Sequence, residues 1–247
     1  MKHDSLFESP ENQALLVVCA RKTIRSAAIG GIIWGAINIA IGIALVRVNI
    51  LNAGILALGL IMLGTGVIAL KKPSLHALLT EAFVSLLLLA WNVGISTLNV
   101  RTGHPDHVNG HGMIFPIIAA VVFFRQYFKL GHLKEAIGAM DAATVKEASG
   151  LCKQLFKTKL KQSADVAEAS SKRWRVRFMS DSVFCVQRNL RCAFHMSAAN
   201  FRQCIHDNTR KRIKVVVRHP LGKVTCAFNK KNSDKIKSWL STAATPR

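Results

Sequence analysis

The segment GHPDHVNGHG, residues 103–112, gathers three histidines and an aspartate. His104, Asp106, His107 and His111 are chemically suited to hold zinc, copper or nickel. His107 and His111 would share a face if a helix began early enough to include both. Gly103, Pro105, Gly110 and Gly112 interrupt regular structure, however, and leave those ligands unorganised. The HPDHxxxH order matches no metal motif, and the same residue types make an ordinary turn between antiparallel helices. The expectation is a surface turn with incidental metal affinity, and no cofactor is expected.

A second chemical candidate is Glu81, the ionisable side chain well inside a long apolar run. On a helix, Glu81, Ser85, Asn92, Ser96 and Asn99 fall within about 60° of arc. Gly31, Gly35, Asn38 and Gly42 form a comparable line in an earlier run, and Gly31-x-x-x-Gly35 is the spacing that lets another helix approach closely. The two lines are expected to face each other or share one crevice. An intramembrane carboxylate suggests function by default. Its structural alternative is an acid held by Asn38 or a backbone group, with the Asn and Ser residues as interhelical contacts. Catalytic signatures are missing: there is no nucleophile elbow, Walker loop, HExxH or paired-carboxylate arrangement. His195, His206, Asp207 and His219 fall on different elements, so no enzyme is expected.

These residues sit on a strongly segregated chain. The net charge is +21 with half the residues hydrophobic. Residues 26–124 hold only Arg47, Lys71, Lys72, Glu81, Arg101 and Asp106 as charges, whereas residues 130–247 hold 24 Lys+Arg against 8 Asp+Glu, a net of +16. The apolar half contains four runs near the length a bilayer requires, about 20 residues. They cover 26–46, 50–70, 76–98 and 112–128, the last with Pro116 one turn in. The first eleven residues hold Asp4, Glu8 and Glu11 where a secretory leader is basic, so residues 1–25 read as a cytoplasmic N-terminal segment, amphipathic over 12–25.

Lysines and arginines of short connections set orientation. Arg21, Lys22, Arg25, Lys71, Lys72, Arg125, Lys129 and Lys134 outnumber the Arg47 and Arg101 of the other two loops. Both termini are therefore expected in the cytoplasm of a multi-pass plasma-membrane protein. All six cysteines lie in segments placed inside, without CxxC pairs, as a reducing compartment permits.

Residues 129–171 read as a cationic helical connector ending in SADVAEASS. The periodicity then changes to 2. In RWRVRF, Trp174, Val176 and Phe178 alternate with Arg173, Arg175 and Arg177, which predicts a half-buried strand with a cationic outer face. Further strands are expected over 183–188, 192–196, 212–218 and 223–228, followed by a helix whose apolar face is Ile236, Trp239 and Leu240. The fold class is thus four transmembrane helices followed by a cytoplasmic α+β module of about five strands and a C-terminal helix, residues 172–247. The RWRVRF hairpin, the strand before SAANFRQC, the strand pair around HPLGK and the final SDKIKSWL helix resemble bacterial pleckstrin-homology-like (GRAM-like) domains over residues 172–241. The resemblance implies a bent antiparallel sheet capped by the last helix; no ligand residue carries over from it.

Three functions remain open. The basic module binds anionic lipid headgroups or a protein partner, with Arg173, Arg175 and Arg177 as the contact residues. Alternatively, the chain is a small transporter or channel using Asn38, Glu81, Ser85, Asn92 and Ser96. A membrane-tethered nucleic-acid binder is disfavoured, because the module's aromatics are needed for its core. Oligomerisation through Gly31 and Gly35 is a further possibility.

Overall fold

The computed structural model describes residues 9–46, 50–103, 111–157, 167–170, 174–179, 181–187, 192–208, 212–219 and 222–242. They form two compact units: Arg21–Gly138, and Met1–Ala20 together with Ala139–Arg247.

The first unit is helical. Helix α1 spans Pro10–Val46, α2 Ala53–Lys71, α3 Leu75–Arg101 and α4 His111–Leu130, with a 3-10 turn at Ile50–Asn52. All four helices are long and apolar enough to cross a membrane. Local chemistry sets their ends. Pro10 opens α1 at a position where a missing N–H costs nothing, and the hydroxyl of Ser9 accepts from the Asn12 N–H at 3.3 Å. Ser74 caps α3 by accepting from the Ala77 N–H. Pro116 lies deeper in α4 than hydropathy placed it and removes the bond that would reach the Gly112 carbonyl.

Glycine lets α1 and α2 touch backbone to backbone. A Cβ on Gly35 would stand 2.7 Å from the Leu63 nitrogen and 2.8 Å from the Gly59 oxygen. One on Gly42 would meet the Leu56 nitrogen at 2.7 Å, and one on Gly66 the Ala28 oxygen at 3.0 Å. The polar line of α1 is therefore set mainly against α2, not against the line on α3. Gly35 serves this seam within the chain and Gly31 is spent against α3, so neither presents a free face for a second copy. On the outside of α1, Ile29, Ile33, Ile37 and Ile41 leave 50%, 56%, 40% and 38% of their surface open. Four large aliphatic side chains in one row suit lipid far better than water.

The second unit takes the start of α1 and everything from Ala139 onward. Short helix α5 is Lys134–Ala139 and α6 is Ala142–Lys157. Strands β1 (Ala167–Ser170), β2 (Trp174–Phe178), β3 (Ser182–Gln187) and β4 (Ala193–Ser197) form an antiparallel sheet in that order. Helix α7 (Ala198–Gln203) leads into a second antiparallel sheet, β5 (Ile205–Asn208), β6 (Arg212–His219) and β7 (Gly222–Asn229), and α8 (Lys230–Thr242) ends the described chain. The five expected strands are present, and β1 and β5 are additional. Both additions are short edge strands held by backbone pairing, so their sequences carry no alternation to betray them.

Alternation decides the core. Trp174, Val176 and Phe178 of β2, Ile213, Val215 and Val217 of β6, and Cys226 and Phe228 of β7 are buried. The ring of Phe178 lies 4.8 Å from Trp239 of α8 and 6.2 Å from Phe201 of α7. Trp239 donates its Nε1–H to the Met179 carbonyl at 2.6 Å, which satisfies the indole's one polar atom within the cluster.

Candidate functional site

The arginine strand does not present the bare cationic face that alternation suggested. Arg173 lies outside the described residues. Arg175 and Arg177 are half-buried, and neither lacks a partner. Register explains why. Arg177 stands opposite Phe184, which stands opposite His195; Arg175 stands opposite Val186, which stands opposite Ala193. Directly opposed residues share a face, so the arginines border an apolar surface on which Phe184, Val186 and Ala193 are 9%, 0% and 0% exposed.

The start of α1 packs at this sheet's β4 edge. Ala14 through Ala20 are all buried, as is Asn12. The Asn12 Nδ2 donates to the His195 carbonyl at 2.7 Å, and its Oδ1 accepts the His195 N–H at 2.7 Å. One carboxamide thus supplies the two bonds that a neighbouring strand would give, closing the edge of β4. Glu11 Oε2 adds a 2.8 Å contact to His195 Nδ1. The α1 portion up to Ala20 thus belongs to the same compact unit as the chain from Ala139 onward.

Asn12→Leu leaves the N–H and carbonyl of His195 unpaired beside buried chain. Each orphaned group costs about 1–3 kcal/mol, so a loss of about 2–6 kcal/mol is expected. Chemical denaturation of the full chain, followed at Trp174 and Trp239, measures it; an unchanged midpoint would show that the pairing contributes nothing.

Three helices build the second candidate. Glu81 is 1% exposed. Its Oε1 lies 2.7 Å from Thr65 Oγ1 on α2, and its Oε2 is buried without a hydrogen-bond partner. From α1, a Cβ on Gly31 would lie 2.7 Å from Oε1 and 3.0 Å from Oε2, so the carboxyl fills the notch that glycine leaves. Ser85 is fully buried and donates to the Glu81 carbonyl at 2.8 Å. Asn38 does not reach Glu81; its Nδ2 donates to the Trp34 carbonyl at 2.9 Å. Ser96 is buried, whereas Asn92 and Asn99 are half-buried. Thr65 is the partner sequence reasoning missed, because one threonine in an apolar run carries no pattern.

Other chemistry is sparse. His104, Asp106 and His107 lie outside the described residues, as does the side chain of His111. Among the described residues no group of three or more His, Cys, Asp or Glu is placed to hold a metal ion. All six cysteines are reduced and buried. Burial raises the Cys152 thiol to about 11 and pushes Cys185 and Cys226 up as well, which keeps them protonated and unreactive. An apolar crevice of about 610 Å³ lies between α2 and α3 beside Gly54, Leu58, Trp91 and Gly94.

Strand β6 alternates in the same way as β2. Lys214 and Val216 are half-buried between the fully buried Ile213, Val215 and Val217, so both lie on the other face of the second sheet. Lys223 pairs with Arg218 and the exposed Thr225 with Val216. Asp207 stands opposite Lys214. The same period-2 signal that identified the arginine strand identifies this face.

No protein-family model, no curated protein and no solved structure matches the chain.

Proposed function

We propose that this is a multi-pass protein of the cell membrane whose basic C-terminal module lies on the cytoplasmic side and binds anionic lipid headgroups, without catalysis. Charge segregation carries the reading: residues 130–247 hold 24 Lys+Arg against 8 Asp+Glu, next to helices able to cross a bilayer. Each Lys or Arg held near an anionic leaflet gains about 1 kcal/mol. The Asn12–His195 pairing supports one side for both termini, as an even number of spans requires. The pleckstrin-homology-like reading rests on the succession of antiparallel strands closed by the last helix, α8.

Within the module, the β6–β7 face suits headgroups better than the arginine strand, whose face continues into buried apolar residues. Nucleic acid is less favoured, because Trp174, Phe178, Phe184, Phe194 and Phe228 are buried and unable to stack on bases.

The test uses the full chain in phosphatidylcholine vesicles with or without phosphatidylserine. Since the native thiols are buried, Thr225→Cys offers a selective attachment point for a fluorophore. Headgroup-linked quenchers should dim it several-fold more when phosphatidylserine is present. Salt should reverse the effect, because screening shortens the attraction to about 8 Å at physiological ionic strength. Lys214→Glu combined with Arg212→Glu and Arg218→Glu should abolish it. Equal quenching in both lipids at low ionic strength would eliminate the lipid reading and leave a protein partner as the occupant of this face.

A further inference from the structure

We propose that Glu81, Thr65 and Gly31 form a proton-binding site at the junction of α1, α2 and α3. This goes beyond headgroup binding and is independent of it. The argument starts from a hydrogen count. Thr65 Oγ1 lies 2.9 Å from the Ile61 carbonyl, 3.1 Å from the Met62 carbonyl and 2.7 Å from Glu81 Oε1. A hydroxyl has one hydrogen, which serves a helix carbonyl or the carboxyl, but not both fully. If it serves the helix, the 2.7 Å contact is a hydrogen bond only when the carboxyl itself donates, Oε1–H to Thr65 Oγ1. One proton on Glu81 therefore satisfies both short contacts at once.

Space selects the proton over other cations. A bare carboxylate with an unpartnered buried Oε2 is costly in a hydrocarbon surrounding and needs a compensating charge. Among the described residues no lysine or arginine supplies it. Lys71, Lys72 and Arg101 lie at or near the ends of the apolar runs, as Arg47 does in the sequence. Arg125 of α4, beside the Phe124 that meets Phe83, makes no ion pair with Glu81. On the Gly31 side there is no room even for a Cβ, and among the described residues Glu81 belongs to no group of His, Cys, Asp or Glu able to hold a metal ion. The groups shown against the carboxyl are uncharged: Gly31 from α1 and Thr65 from α2. Releasing the proton would leave a charge in that closed notch, so release requires the helix carrying Gly31 to part from α3.

Infrared difference spectroscopy of the full chain in lipid tests this, with pH varied from acid to mildly alkaline. Wild type should show a carboxylic-acid C=O band that Glu81→Gln removes, that loses intensity on alkalinisation and that shifts in D2O. Thr65→Val, which keeps shape but removes the hydroxyl, should move the band to higher frequency. The absence of any band lost in Glu81→Gln overturns the proposal. So does a band that neither titrates nor shifts in D2O, since that is a sealed structural acid. An unmoved band in Thr65→Val overturns the pairing.

Discussion

Deleting residues 1–20 is expected to leave residues 139–247 without a cooperative fold. Leu15, Leu16, Val17 and Val18 are 1%, 3%, 0% and 6% exposed within the module's own packing unit. Burying four such side chains is worth roughly 6–12 kcal/mol at about 1.5–3 kcal/mol each, comparable to the total stability of a domain. The deletion also frees the β4 edge that Asn12 closes. Limited proteolysis of the full chain and the deletion, both in lipid, measures the effect. Cleavage should move from loops into β2–β4 when the segment is missing. An unchanged cleavage pattern, or a residue 130–247 fragment that unfolds cooperatively, would show that the module stands without α1.

Gly35→Leu is expected to disrupt the membrane unit, by a smaller amount. The new Cβ would meet the Leu63 nitrogen and Gly59 oxygen at 2.7 and 2.8 Å. Both are backbone atoms of α2, which no rotamer change can move aside. The two helices would have to separate along a seam that also includes Gly42 and Gly66. Overpacking of this kind costs about 1–3 kcal/mol and more when backbone must shift. Gly30→Leu is the control on the same helix, since nothing lies within 4 Å of its Cβ position; it should change stability by no more than about 0.5 kcal/mol. Unfolding of the full chain in mixed micelles compares them. If both variants unfold alike, the glycine seam is not what holds α1 to α2.

The lipid-facing surface and the two sheets were legible to different depths. Hydropathy located four helices because transfer into hydrocarbon sums over consecutive residues, and consecutive residues are what a sequence displays. It left residues before 26 outside the first span, and Ala14–Ala20 are buried in the structure; what covers them was not readable from hydropathy. Alternation located β2, β3, β4, β6 and β7 because each has a core side. It also put Arg175 and Arg177 on the side of β2 opposite its buried residues; Arg173 lies outside the described residues. What covers their face was not readable, because that depends on Phe184, Val186 and the packing beyond them.

By itself, then, the sequence determined which stretches are helices fit for a bilayer, which are half-buried strands, and that the charge is gathered in the C-terminal half. Those properties depend on near neighbours and on period. Only the tertiary structure decided that Asn12 pairs with His195, 183 positions away, that Thr65 reaches Glu81 across 16, and that Gly31 leaves the notch the carboxyl fills. Each is a single contact between residues whose types are individually ordinary. A hydrogen bond is set by distance and direction in space, and neither leaves a repeat along the chain.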